Sequence, residues 1–251
     1  MTETILSVIT FVFTLAGALL GLFLRGRLPD DDLSGESRTV VTMGMGLVVT
    51  MAALVLGLLI SSAKNFYDTQ YSELSQMSAN ITLVDRLLAH YGPQANEARS
   101  ALREDVGRAI KEMWPESPTD LLRTNEAAAK QELFFDKLQE LTPLDDVQRE
   151  LRSQAISIAV ELGRTRRLMI AQSAFPIPMP LLTILISWLV IIYASFSLYA
   201  PRNPTVLTSL FVSGFVVSTA VLLILEMYTP YHGLIQVSRA PLEVAFERLG
   251  H

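Results

Sequence analysis

At 251 residues, half of them hydrophobic and only 18% charged, with a mean hydropathy of +0.36, the chain is more apolar than a soluble domain of its size. A formal net charge of −5 and a pI near 5.3 leave no basic footprint for nucleic acid, which is set aside as a partner. The absence of cysteine excludes disulfides and thiolate chemistry and does not report the redox compartment.

Charge is confined to the middle. Of the 20 Lys and Arg, 14 fall between Ala63 and Ile177, as do 17 of the 25 Asp and Glu. The apolar flanks need a lipid environment, so the chain reads as an all-α polytopic membrane protein with four transmembrane helices in two pairs. Residues 1–63 hold the first pair, 64–177 a helical extramembrane domain, 178–228 the second pair and 229–251 an amphipathic tail.

The first span covers about Ile5 to Leu24, close to the roughly 20 apolar residues that cross a bilayer core. Glu3 precedes it in place of a basic region, and no small-residue cleavage site follows, which predicts a retained helix over a cleaved signal peptide. Pro29, Asp30, Asp31, Asp32 and Gly35 make the connection a loop, and the second span runs from about Val40 to Ala63. Leu74, Met77, Ile81, Val84, Leu88 and Tyr91 then recur at three- and four-residue steps on one helix face, which Gly92-Pro93 ends. Further helices are predicted over about 94–114, 119–141 and 143–173. The last begins with Thr142 as N-cap, Pro143 in the first turn and Asp145 and Asp146 at the positive end of the dipole. Its stripe of Leu144, Val147, Leu151, Ala155, Ile158, Leu162, Thr165 and Met169 keeps a heptad-like spacing suited to a stalk. Pro176, Pro178 and Pro180 stop it before the third span, about 181–200. The turn Pro201-Arg202-Asn203-Pro204 makes a hairpin with the fourth span, about 205–227, and Leu242, Ala245, Phe246 and Leu249 form the amphipathic tail.

An even number of spans puts both termini and the central domain on one side of the membrane. Lys64, Arg164, Arg166, Arg167, Arg239 and Arg248 favour that side being cytoplasmic, against Arg25, Arg27, Arg38 and Arg202 in the short loops. The expectation is a multi-pass protein of the inner (plasma) membrane with its termini and domain inside.

The most informative pattern lies in the second span. Thr42, Gly46, Thr50, Ala53, Gly57 and Ser61 fall on a stripe about 100° wide, all small or hydroxylated. Two uses fit it. Small residues let helix backbones approach closely, and small polar residues can also line a wet passage where hydroxyls and backbone replace part of an ion's hydration shell. Gly17 and Gly21 form a Gly-xxx-Gly pair in the first span, which predicts close contact with the second. The fourth span's hydroxyls are expected to bond to preceding carbonyls. Lys64 and Asn65 form a polar collar, and Glu226, one turn from the end of the fourth span, is either an interfacial carboxylate or a cation-attracting group at a pore mouth. No catalytic constellation is present: His90, His232 and His251 lack metal-ligand spacing, and no P-loop, dinucleotide fingerprint or nucleophile elbow occurs. No enzyme activity, cofactor or metal is expected. Trp114 and Phe134-Phe135 are expected in the domain core.

Three stretches carry a resemblance. Leu58-Leu59-Ile60-Ser61-Ser62-Ala63 precedes Phe66-Tyr67-Asp68 at the exit of the second span; Ser78-Ala79-Asn80-Ile81 precedes Arg86; and Thr229-Pro230-Tyr231-His232-Gly233-Leu234-Ile235 follows the last span. Together they resemble a bestrophin-like family of bacterial membrane proteins over most of the chain, with Asn80, Arg86, Pro230 and Gly233 at its motif positions. The sequence departs from the family pattern at Ser78, where a carboxylate is usual, and at Thr69-Gln70-Tyr71, where basic residues are common. Bestrophins are oligomeric ion channels whose second span lines the pore, with a helical cytoplasmic domain between span pairs. Their neck is lined by bulky apolar and aromatic side chains, whereas the second span here has no aromatic residue. The resemblance implies a homo-oligomer in the lipid bilayer, permeant ions as partners, and Thr42, Gly46, Thr50, Ala53, Gly57 and Ser61 as pore-lining positions. The alternative is a structural or regulatory membrane protein whose helical domain binds a protein partner.

Overall fold

No glycine or proline occurs from Leu58 to Tyr91, so nothing in that stretch stops a helix once begun. In the computed structural model, which describes residues 2–29, 35–114, 132–173, 177–201 and 203–250, the second span and the amphipathic segment after it are one helix. The described residues form eight α-helices: α1 (Thr2–Arg25), α2 (Gly35–Tyr91), α3 (Asn96–Met113), α4 (Glu132–Glu140), α5 (Asp146–Ser173), α6 (Met179–Leu198), α7 (Pro204–Met227) and α8 (Ala240–Arg248). Four of these, α1, α2, α6 and α7, are long and apolar enough to cross a membrane. The acidic turn at Asp30, Asp31 and Asp32, and residues 119–131 of the third predicted domain helix, lie outside the described residues.

The chain divides into two units. The first comprises residues 1–66, 176–229 and 233–235, and so contains the spans. Within it α1 packs along both α6 and α7. One apolar cluster joins Ala52, Leu59 and Ala63 of α2 to Leu185, Leu189 and Ile192 of α6 and Ile224 of α7. Another joins Leu182 of α6 to Val221 and Leu225 of α7, with Leu6 of α1 against them. The Gly-xxx-Gly pair corrects the expectation placed on it: it meets α6, where the prediction was α2. A Cβ on Gly17 would lie 2.6 Å from the Val190 carbonyl oxygen, and one on Gly21 only 2.1 Å from that of Ala194. Three hydroxyls of α7 bond to preceding carbonyls as expected, Thr208 to Pro204, Ser213 to Leu210 and Thr219 to Val216. Ser218 bonds across to another helix instead. Its hydroxyl donates to the Ser7 carbonyl at 2.7 Å and the Ser7 hydroxyl donates to the Ser218 carbonyl at 2.9 Å, a reciprocal pair that ties α1 to α7.

The second unit comprises residues 67–175, 230–232 and 236–251. Its core contains all six predicted face residues of α2, Leu74, Met77, Ile81, Val84, Leu88 and Tyr91, together with Trp114 and Phe134. Helix α5 starts three residues later than predicted: Asp145, and not Thr142, is its cap, accepting the Gln148 backbone N–H at 2.7 Å. Leu144 precedes the helix and Val147 lies in its first turn, and both are exposed, whereas Ala155 and Met169 are buried. The predicted amphipathic tail is α8, and its apolar face, Leu242, Ala245 and Leu249, is buried in this core.

Burial also sets one titration. The Asp105 carboxyl is lifted above the usual aspartate range by desolvation, an effect opposed by the Arg166 and Arg108 guanidinium groups. A carboxyl whose folded pKa is raised binds its proton more tightly folded than unfolded, so it stabilises below the unfolded value and loses that contribution as pH rises through the folded one. Wild-type protein is expected to gain thermal stability, relative to Asp105→Asn, as pH falls toward about 4. Parallel melting curves of the two proteins across that window would expose the opposite slope if Asp105 were instead held ionised.

Candidate functional site

A helix of 3.6 residues per turn that packs through one face leaves the other open. On α2, Ala52, Leu59 and Ala63 face α6 and α7, and the residues on the far side face no part of the same unit. Thr42, Gly46, Thr50, Ala53, Gly57 and Ser61 are all exposed. A Cβ built on Gly46 or Gly57 would meet no atom within 4 Å. Only 11% of the apolar window of α2 is buried, against 33%, 33% and 22% for α1, α6 and α7, so the small-residue stripe serves no packing within its own unit. Thr50 donates its hydroxyl to the Leu47 carbonyl at 2.8 Å, leaving its oxygen lone pairs outward. Lys64 and Asn65 stand exposed on the next turn. Beside them the Tyr228 hydroxyl donates to the Ser62 Oγ at 2.9 Å, and the Tyr228 ring lies 5.5 Å from that of Phe66.

Glu226 is buried within its own unit. It is only 3% exposed, and its Oε2 accepts the backbone N–H groups of Leu234 at 2.5 Å and of Ile235 at 3.4 Å. Charge-assisted bonds of this kind fix a loop strongly. Gly233 makes the approach possible: it sits at φ 96°, and a Cβ there would fall 2.2 Å from the same Oε2. The glycine of the motif after the last span thus has a local cause, because the carboxylate gathers the loop around itself. Leu234, by contrast, is left 82% exposed. Alanine at position 226 is expected to cost about 1–3 kcal/mol by stranding those donors, and Gly233→Ala a comparable amount. Because both act through one contact, the double variant should lose less than the sum, which melting curves of the purified variants would measure.

The other motif positions lie in the second unit. Pro230 is buried and its carbonyl accepts the Val237 N–H at 2.7 Å, which closes the turn. The Tyr231 hydroxyl donates to Gln70 Oε1 at 2.8 Å, Gln70 Nε2 donates to Gln172 Oε1 at 2.7 Å, and the Tyr231 ring meets Trp114 edge-on at 5.5 Å. Burial and the nearby Glu73 carboxylate push the Tyr231 phenol above its ordinary range. Gln70 is 0% exposed, a site where a hydrogen-bonded amide is tolerated at lower cost than an unpaired cation. Ser78 donates its hydroxyl to the Pro241 carbonyl at the start of α8, a bond that an ionised carboxylate cannot make. Asn80 is buried with its Oδ1 3.5 Å from Gln76 Nε2, whereas Arg86 is exposed and its carbonyl accepts the His90 Nδ1–H at 2.8 Å, with that tautomer assigned from the geometry.

Sequence reasoning missed Asp85 and Arg99. Asp85 accepts both Arg99 Nε at 2.8 Å and Arg99 Nη2 at 3.0 Å, a bidentate pair with side-chain exposures of 9% and 16%. The available signal was the position of Asp85, next to Val84 and three residues before Leu88 on the buried face.

The described helices and the open, small-residue face of α2 define the class: a polytopic helical membrane protein, with one span left largely unpacked by its own unit. Its family follows from a match to the bestrophin-like domain over residues 12–242, and the chain belongs to the bestrophin-like family. No curated protein and no solved structure matches it.

Proposed function

We propose that the protein is the subunit of a homo-oligomeric ion-conducting pore in which the stripe of α2 faces a central axis. The observation that carries this reading is the exposure of Thr42, Gly46, Thr50, Ala53, Gly57 and Ser61 on a helix whose opposite face is packed. Membership in the bestrophin-like family supports it. In the assembly, small side chains keep the passage wide, and hydroxyl oxygens and backbone dipoles replace part of an ion's hydration shell without covalent chemistry. Lys64 and Asn65 stand at one mouth. Glu226 acts on that mouth through the loop it holds and not through direct contact with ions. The protein resides in the cytoplasmic membrane with its termini and helical domain inside, an orientation favoured by Lys64 and the arginines of the domain and tail.

Cysteine introduced at Thr50, Ala53 or Gly57 is expected to react with water-soluble thiol reagents in the intact assembly, and planar-bilayer recording of the purified protein should give currents that this reaction alters. Unreactive cysteines in an assembled, current-free protein would remove the stripe from any pore. A second reading, a regulatory membrane protein whose helical domain binds a partner, is favoured by Leu144 and Val147, 78% and 68% exposed at the start of α5. On that reading the cysteines stay unreactive, and polar replacement of Leu144 and Val147 abolishes partner binding.

A further inference from the structure

Helix α3 carries basic residues at 103, 108 and 111, spacings that bring them along one side, and α8 packs beside it through Phe246. Between them lies a half-open groove of about 1070 Å³. Its walls carry four cationic side chains, Arg103, Arg108, Lys111 and Arg239, against two carboxylates, Glu104 and Glu243. Arg239 is held by Glu243 at 2.9 Å, and Arg103 donates to the Leu249 carbonyl at 2.5 Å with its guanidinium 4.9 Å above the Phe246 ring. The remaining donors are less fully engaged. Arg108 Nη1 and Trp114 Nε1 are buried with no hydrogen-bond partner among the described residues, and Arg108 Nη2 comes no nearer than 3.9 Å to Asp105. Trp114 itself is only 8% exposed. Lys111 has no ion pair among the described residues.

Buried donors without acceptors are uncommon in folded proteins, each costing about 1–3 kcal/mol. In the groove lining the two unsatisfied buried atoms, Arg108 Nη1 and Trp114 Nε1, are both donors, beside a cationic surplus and a flat guanidinium–aromatic platform; Glu112 Oε1, a buried acceptor without a partner, lies outside that lining. We infer that this groove binds a phosphate-bearing anion, with Arg108 and Lys111 on its oxygens and the Arg103–Phe246 stack against its organic part. Arg108 lines the groove with its side chain 19% exposed. A halide would leave most of the volume empty, whereas a phosphate ester or a phospholipid headgroup offers several acceptor oxygens together with apolar bulk. The inference does not depend on conduction, because it concerns residues of the helical domain alone.

Trp114 supplies the reporter. The chain has two tryptophans, so Trp188→Phe leaves Trp114 as the sole source of indole emission. Full-length Trp188→Phe protein, in detergent free of anionic lipid, would be titrated with inorganic pyrophosphate. Separately, it would be placed in nanodiscs of phosphatidylcholine with increasing phosphatidylglycerol. The expected result is a saturable change in Trp114 emission whose midpoint rises about tenfold in Arg108→Gln and in the exposed, structurally undemanding Lys111→Gln. A response to pyrophosphate identifies a free phosphate ligand, and a response to phosphatidylglycerol alone identifies a headgroup. Silence in both arms, or a response that Lys111→Gln leaves unchanged, overturns the inference.

Discussion

Replacing Asp85 with alanine is expected to destabilise the helical domain by about 3–5 kcal/mol, because it strands the Arg99 guanidinium in a site that is only 16% exposed. The magnitude follows from burial and not from the count of ion pairs. Arg149 and Asp146 also pair, yet their side chains are 67% and 91% exposed, and removing that partnership should change stability by less than about 1 kcal/mol. The two positions therefore give a matched comparison on one domain. Chemical denaturation of Asp85→Ala and Asp146→Ala proteins would measure it, and losses of equal size would show that Arg99 finds water or another acceptor. Replacing both Asp85 and Arg99 by apolar residues of similar volume should restore most of the loss, since the cost lies in the uncompensated charge.

Gly21→Leu is expected to prevent the spans from packing. A side chain there must displace the Ala194 backbone carbonyl, which a Cβ would approach to 2.1 Å, and only a shift of the whole of α6 relieves that. Overpacking a close helix contact costs about 1–3 kcal/mol and more when backbone must move. Gly57→Leu is chemically the same change on another span, but no atom lies within 4 Å of the new Cβ, so the protomer should be as stable as wild type. If the stripe of α2 faces a passage, Gly57→Leu should nevertheless reduce conductance, giving a folded protein with a functional defect. Size-exclusion profiles and currents recorded on the two variants separate the cases. A misfolded Gly57→Leu protein would show that its stripe packs against something after all, and an unchanged current would place it on lipid.

The apolar runs, the charged middle and the face from Leu74 to Tyr91 were legible because each is a periodic pattern whose solvent, lipid or core, follows from composition over a window of residues. The candidate stripe was legible for the same reason, as a list of residues sharing 100° of helix. Its surroundings were not. Periodicity says which residues share a face but not which neighbour that face meets, so the glycines of α1 were assigned to α2 when they meet α6. The role of Glu226 was hidden likewise, since its partners are backbone N–H groups at positions 234 and 235, and a backbone group carries no sequence signature. The cap of α5 was misplaced by three residues because Thr142 and Asp145 are both good caps and local preference does not choose between them.

The sequence by itself determined that this is a helical membrane protein, which four segments are long and apolar enough to span a bilayer and which residues of α2 are too small to fill space, because these are sums of local transfer and propensity terms along the chain. Only the tertiary structure decided that the small face stays open while Gly17 and Gly21 are closed, that α8 enters the domain core, and that Glu226 turns inward to hold a loop. Those outcomes depend on which helices are neighbours, and neighbours are chosen by the packing of the whole unit and not by any one segment.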